Sequence, residues 1–192
     1  QSLHLFTLVR EGGLQKPVDS EMGRHALLSI RKGLEACAAM KIPALLVTSY
    51  DACAIVNGYD VGCTAKMLKA AAAMARDYGV ELTYESVLQY EYVAQILDEA
   101  GPDVKLCYDI LNPIKFLKGD PVEEIAKLGR ERIAYVHLKD SPKEMTGFCQ
   151  LGEGYGRFRE SIDALHQIGF DGWYITENFY HLPPVGNAGS VF

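Results

Sequence analysis

Val104-Lys105-Leu106-Cys107-Tyr108-Asp109, then Asp120-Pro121 opening Val122–Leu128, then Ile133-Ala134-Tyr135-Val136-His137: read together, these residues decide the fold. Two apolar runs of strand length flank a short helix. That helix is announced by an N-cap aspartate and a proline at its first position. Strands joined through a crossover helix lie parallel. Each run also ends in a side chain that can ligate a metal, Asp109 in one and His137 in the other.

The pattern extends in both directions. Val80-Glu81-Leu82-Thr83-Tyr84-Glu85 precedes the pair and Trp173-Tyr174-Ile175-Thr176-Glu177 follows it. Towards the N-terminus, Leu3–Val9 and Ala44–Thr48 read as two more strands. Ser20 is expected to cap a helix running to about Met40. Thr64 is expected to cap another, running to Tyr78 and ended by Gly79. Further helices are expected over Gln89–Ala100 and about Phe158–Ile168, the latter ended by Gly169. The 49–62 loop is rich in Gly, Asp and Asn, and a long polar loop spans 139–156. Residues 178–192 lack helical periodicity.

Six strands thus alternate with five helices, which argues for a parallel sheet with right-handed crossovers. The strands are continuously apolar, as expected where both faces are covered. No linker or composition break divides the chain, so residues 1–192 are expected to form one domain. The fold class is α/β, a TIM (β/α)8-type barrel with about six of its eight strands. The missing strands would be lost by N-terminal truncation or supplied by another chain, and an open sheet is the alternative.

Bulk properties narrow the partners. The net charge of −6 opposes binding to a nucleic-acid backbone or an anionic membrane surface. No apolar run is long enough to span a bilayer. Gln1-Ser2-Leu3-His4 lacks the basic and apolar blocks of a secretory signal. The five cysteines include no Cys-x-x-Cys pair, so a reduced, cytoplasmic protein without disulfides is expected.

Glu85, Asp109, His137 and Glu177 are the candidate metal ligands. Taken singly, each has an ordinary explanation: an Asx turn, a solvated loop carboxylate or a hydrogen-bonded histidine. Four ligand-capable groups at successive strand ends carry more weight, because parallel strands aim their C-terminal ends into one mouth. Three carboxylates gathered there would repel one another without a cation. The mixed oxygen and imidazole set suits Mn²⁺, Mg²⁺, Co²⁺ or Zn²⁺, with Mn²⁺ taken as the leading candidate. Cys107, two residues before Asp109, is left out as deeper in the sheet.

The same stretches carry a family resemblance. Together with Tyr108-Asp109-Ile110-Leu111-Asn112-Pro113, Tyr135-Val136-His137-Leu138-Lys139-Asp140 and Leu151-Gly152-Glu153-Gly154, they resemble the xylose-isomerase-like TIM-barrel superfamily over residues 20 to 178. This group includes the sugar phosphate isomerases/epimerases and the endonuclease-IV-type enzymes. The resemblance implies that Glu85, Asp109, His137 and Glu177 match its four metal ligands, and that Gln1 lies near the third barrel strand. The DNA-repair branch has a histidine where Asn112 stands, and an Asp-x-His in the loop that here reads Gly147-Phe148-Cys149-Gln150-Leu151. Their absence points to one metal. In the epimerase branch a histidine often stands at the Asn112 position, and a substrate-binding arginine where this chain has Lys143. A lysine there holds a hydroxyl or phosphate without the bidentate fork.

The chemistry this implies is enolisation. A divalent ion chelated to a carbonyl oxygen and its neighbouring hydroxyl acidifies the C–H between them. Glu85 and Glu177 are then expected to remove and return the proton. Asn112, Lys139 and Lys143 are the candidate substrate-binding residues, and Glu153 a candidate to orient His137. Trp173 and Tyr174 are expected in the core, with Tyr155 and Phe158 packing the loop.

The leading expectation is a metal-dependent isomerase or epimerase of a small sugar, sugar phosphate or keto-polyol, with a homo-oligomer allowed. The alternatives are a dehydratase or lyase on an inosose- or dehydroshikimate-type substrate, a carbon-glycoside-cleaving enzyme, and an inactive fragment or partner-requiring subunit.

Overall fold

A computed structural model of the chain describes residues 2–144 and 148–178. The expectation for residues 179–192, and the Gly147 position of the loop motif, lie outside the described residues. The chain divides into two compact units, Gln1–Leu106 and Cys107–Phe192. The division falls inside one strand, Val104–Asp109.

The first unit contains β1 (Ser2–His4), α1 (Phe6–Glu11), α2 (Glu21–Met40), β2 (Ala44–Ser49), α3 (Gly58–Tyr78), β3 (Glu81–Ser86) and α4 (Tyr90–Ala100), and ends in the first half of β4 (Val104–Asp109). All pairings in it are parallel: Ser2–His4 against Ala44–Leu46, Ala44–Ser49 against Glu81–Ser86, and Leu82–Tyr84 against Val104–Leu106. Every residue of β2 is buried, which is why its sequence, Ala-Leu-Leu-Val-Thr-Ser, does not alternate. The inward faces of α2 and α3 bury Ile30, Leu34, Met67 and Leu68 completely. Ser20 caps α2 as expected, its Oγ accepting the Gly23 N–H at 3.0 Å.

The second unit contains the end of β4, α5 (Pro121–Leu128), β5 (Ile133–Leu138), α6 (Phe158–Gln167) and β6 (Trp173–Thr176). Asp120 caps α5 by accepting the Val122 N–H at 2.9 Å, with Pro121 at the first helical position. Strands β5 and β6 pair in parallel, His137 opposite Ile175. Along the sheet the strands follow chain order, β1 to β6.

Three local expectations are corrected. Leu3–Val9 is not one strand: β1 stops at His4, and Phe6–Glu11 is helical with Leu8 and Val9 buried. A short apolar run has no periodicity that separates the two states. Helix α3 starts six residues before Thr64, because Asn57 Oδ1 takes the Asp60 N–H at 3.0 Å and acts as the N-cap. Thr64 is buried within the helix. Trp173, expected in the core, is 62% exposed.

Candidate metal centre

Asp109 closes β4 and is buried. Its Oδ1 accepts the backbone N–H groups of Leu111 (2.8 Å) and Asn112 (2.9 Å), which folds the chain into a tight turn after the strand. That turn leads into a single π-helical stretch, Pro113–Leu117. With Oδ1 engaged, Oδ2 is left facing the Lys139 ammonium at 2.6 Å.

His137, next to last in β5, is buried beside the Tyr135 ring. Its Nδ1 lies 2.9 Å from Glu177 Oε2. Glu177 follows directly on β6, where its backbone N–H donates to Leu138 O at 3.0 Å. The Lys139 ammonium meets the same Glu177 Oε2 at 2.6 Å. One ligand atom each from Asp109, His137 and Glu177 lies within 4.8 Å of the others. Cys107 Sγ is within that distance of a His137 ring nitrogen.

Charge decides the protonation states. Burial, the largest influence on Glu177, favours its neutral form. The hydrogen bond with His137 and the charges of Lys139 and His137 outweigh it, and hold the carboxyl down to about 2. Burial likewise works against the Lys139 cation. Asp109 and Glu177 together overcome it and raise the ammonium above its ordinary 10.5.

This donor set fits a divalent ion. Two carboxylate oxygens and an imidazole nitrogen converge in a solvent-shielded place, and the buried carboxylates need a nearby positive charge. Lys139 supplies that charge here. The set is hard enough for Mn²⁺ or Mg²⁺ and also accepts Co²⁺ or Zn²⁺.

The remaining site candidates fall as follows. In the first unit Glu85 is buried near the end of β3, in register with Thr48 of β2. One residue before it, the Tyr84 hydroxyl meets Ser49 Oγ at 2.5 Å, and burial pushes the phenol up to about 12. In the second unit Asn112 is buried, and its backbone is fixed by Asp109. Lys143 is exposed, with its ammonium 5.9 Å above the equally exposed Tyr155 ring. Glu153 is exposed, and its N–H donates to Gln150 O.

Asp140 was not among the expected site residues. It is fully buried beside Lys139, and its carboxylate accepts four backbone N–H groups. The signal for it was present: glycines at 152, 154 and 156 follow a lone aspartate that immediately succeeds a candidate substrate lysine.

Comparison with known proteins agrees with this architecture. Residues 7–190 match the xylose isomerase-like TIM barrel family, and the chain belongs to it. Its six parallel strands are thus six of the eight in that barrel. Among curated proteins, 2-epi-5-epi-valiolone 7-phosphate 2-epimerase from Actinoplanes sp. is 31% identical over 125 residues, which is 65% of this chain and 46% of that protein. An L-ribulose 3-epimerase structure superposes with a TM-score of 0.73 at 17% identity, covering 88% of this chain and 59% of the other. The IOLI protein with a binding zinc atom gives 0.70 at 19% identity, covering 93% and 66%. The chain therefore spans about half the length of the curated relative it matches, and under two thirds of these structures. Among the described residues, no helix is long and apolar enough to cross a membrane.

Proposed function

We propose that this chain carries the centre of a divalent-metal-dependent isomerase or epimerase acting on a small sugar, sugar phosphate or keto-polyol. One observation carries the reading: the convergence of Asp109, His137 and Glu177 from the ends of three successive strands. Glu85, buried near the end of the preceding strand, is proposed as the fourth ligand. Mn²⁺ leads the proposed ions, and a zinc-bound relative by fold keeps Zn²⁺ beside it. The ion supplies Lewis acidity to a substrate carbonyl and its neighbouring hydroxyl.

The chain's own groups handle the proton. Held at about 2, Glu177 is fully ionised at neutral pH but is a weak base. Its basicity rises when Lys139 leaves it for a substrate oxygen, so substrate binding and base activation are coupled through that ammonium. Glu85 is the proposed second proton carrier. Asn112 and Lys143 are proposed to hold further substrate oxygens, the exposed lysine being free to reach a phosphate. Kinship with a 2-epimerase of a phosphorylated cyclitol ketone supports this substrate class.

The test is solvent exchange. Protein loaded with Mn²⁺ is incubated in D₂O with 2-epi-5-epi-valiolone 7-phosphate or L-ribulose and followed by NMR. Deuterium is expected at the carbon beside the carbonyl, and is expected to vanish in Glu177→Gln and Glu85→Gln. Loss of water from the substrate would reassign the site to a dehydratase. Failure to bind one equivalent of Mn²⁺ or Zn²⁺ would remove the metal centre itself.

A further inference from the structure

We infer that Asp140 is a positioning residue that locks the 148–157 loop and thereby fixes Lys139 against Glu177. The inference rests on the proposed centre only for its consequence in catalysis; the clamp itself stands on geometry.

Each oxygen of the Asp140 carboxylate receives two backbone donors. Oδ1 takes the N–H of Ser141 and of Gly156, both at 2.9 Å, and Oδ2 takes Gly152 (2.9 Å) and Gly154 (3.0 Å). A buried carboxylate needs such donors, since it has no water to solvate it. The glycines follow from the close approach. A Cβ on Gly154 would stand 2.3 Å from Asp140 Oδ1, and one on Gly156 would stand 2.7 Å from the same oxygen. Only a bare backbone fits around this carboxylate, so Gly154 and Gly156 are part of its cradle.

The main chain of Asp140 is held as well. Its N–H donates to Asn178 Oδ1 at 3.1 Å, and its carbonyl accepts the Cys149 N–H at 3.3 Å. Asn178 Nδ2 in turn donates to Cys149 O at 2.7 Å. Two neighbouring pairs therefore share the work. Lys139 and Glu177 meet in the site at 2.6 Å, while Asp140 and Asn178, the next residue in each case, meet in the scaffold. The loop is bolted to the backbone at the two places where a lysine and a carboxylate of the site begin. Without the bolt, a flexible lysine stem would sample many rotamers, and the ammonium would lose its fixed place between Asp109 and Glu177.

The experiment uses the metal-free full chain, so it does not depend on the proposed reaction. Asp140→Asn is nearly isosteric but turns an amide NH₂ towards one pair of N–H donors. Two readouts are taken together: amide exchange at Gly152, Gly154 and Gly156 by NMR, and the acetylation rate of each lysine by mass spectrometry. Protection of the three amides is expected to fall at least about tenfold, and Lys139 acetylation to rise by a similar factor. Amide protection at Ile125, buried on α5, should be unchanged, which a general loss of stability would not allow. Gly156→Ala, pressing a methyl group on the same carboxylate, should give the same pattern at smaller amplitude if Asp140→Asn fails to fold. Loosened glycine amides with an unreactive Lys139 would overturn the positioning role. Unchanged amide protection would overturn the clamp. Metal binding that fails while this pattern holds would sink the proposed function and leave this inference standing.

Discussion

Lys139 and Asp109 meet at 2.6 Å through one carboxylate oxygen, while the other oxygen of Asp109 holds the turn that follows β4. The same ammonium reaches Glu177 at 2.6 Å. A largely shielded lysine thus supplies the positive charge that the two carboxylates need. An ion at the proposed centre would compete with the lysine for these two carboxylates. Removing the amine should therefore weaken the metal-free fold and strengthen metal binding. Lys139→Met is expected to lose about 3 kcal/mol in denaturant melts of metal-free protein, the usual cost of orphaning a buried charge. Its Mn²⁺ affinity by calorimetry is expected to rise about tenfold, a gain of about 1.4 kcal/mol. Lower affinity in that variant would show that the lysine does not compete.

Acid should act through Glu177. Its folded value, about 2, lies below the ordinary 4.5, so the stability it confers is fully present above 4.5 and is lost as pH falls towards 2. Metal-free wild type should show a falling denaturant midpoint across that window, and Glu177→Gln a shallower fall. Lys139 has the opposite sign. Its raised value stabilises fully below 10.5 and the contribution is lost as pH rises beyond it. Equal acid slopes in wild type and Glu177→Gln would remove the pairing.

The cap of α3 gives a test away from the site. Asn57 Oδ1 accepts the Asp60 N–H, and Asp60 Oδ2 in turn accepts from Asn57 Nδ2 (3.1 Å) and from the Val56 N–H (3.2 Å). Asn57→Ala should cost about 1 kcal/mol in chemical denaturation. Thr64→Ser, within the helix, should not act as a cap substitution would. Threonine before an apolar run reads as a cap, which is why Thr64 was expected and Asn57 was not. The deciding feature was the reciprocal contact with Asp60 three residues on, a spacing of the capping-box kind set within a run rich in Gly, Asp and Asn.

The same contrast explains what was legible elsewhere. The placing of Asp109, His137 and Glu177 at the ends of β4, β5 and β6 could be read because a strand's length and its first polar residue are both local properties. The division of Leu3–Val9 into strand and helix could not, since only its pairing with Ala44–Leu46 sets where β1 stops. Asp140 escaped because its function depends on glycines twelve to sixteen residues away, brought back by a loop with no period. Lys139 was noticed, but as a substrate ligand. Its contact with two carboxylates follows from strand order, which composition does not encode.

Asp109 holds the turn after β4 and is a proposed metal ligand, and two substitutions separate the two roles. Asp109→Asn keeps an oxygen for the Leu111 and Asn112 amides but removes the charge facing Lys139. Asp109→Ala removes both. The two variants should differ by about 1–2 kcal/mol in denaturant stability, the worth of leaving buried turn amides unsatisfied. Both should bind Mn²⁺ at least about a hundredfold more weakly, since an amide oxygen does not replace an anionic ligand, an affinity change of about 2.7 kcal/mol. Calorimetry on each variant reads the second effect independently of the first. If Asp109→Asn binds Mn²⁺ as tightly as wild type, Asp109 is a turn residue alone and the ion, if held at all, rests on His137, Glu177 and their neighbours.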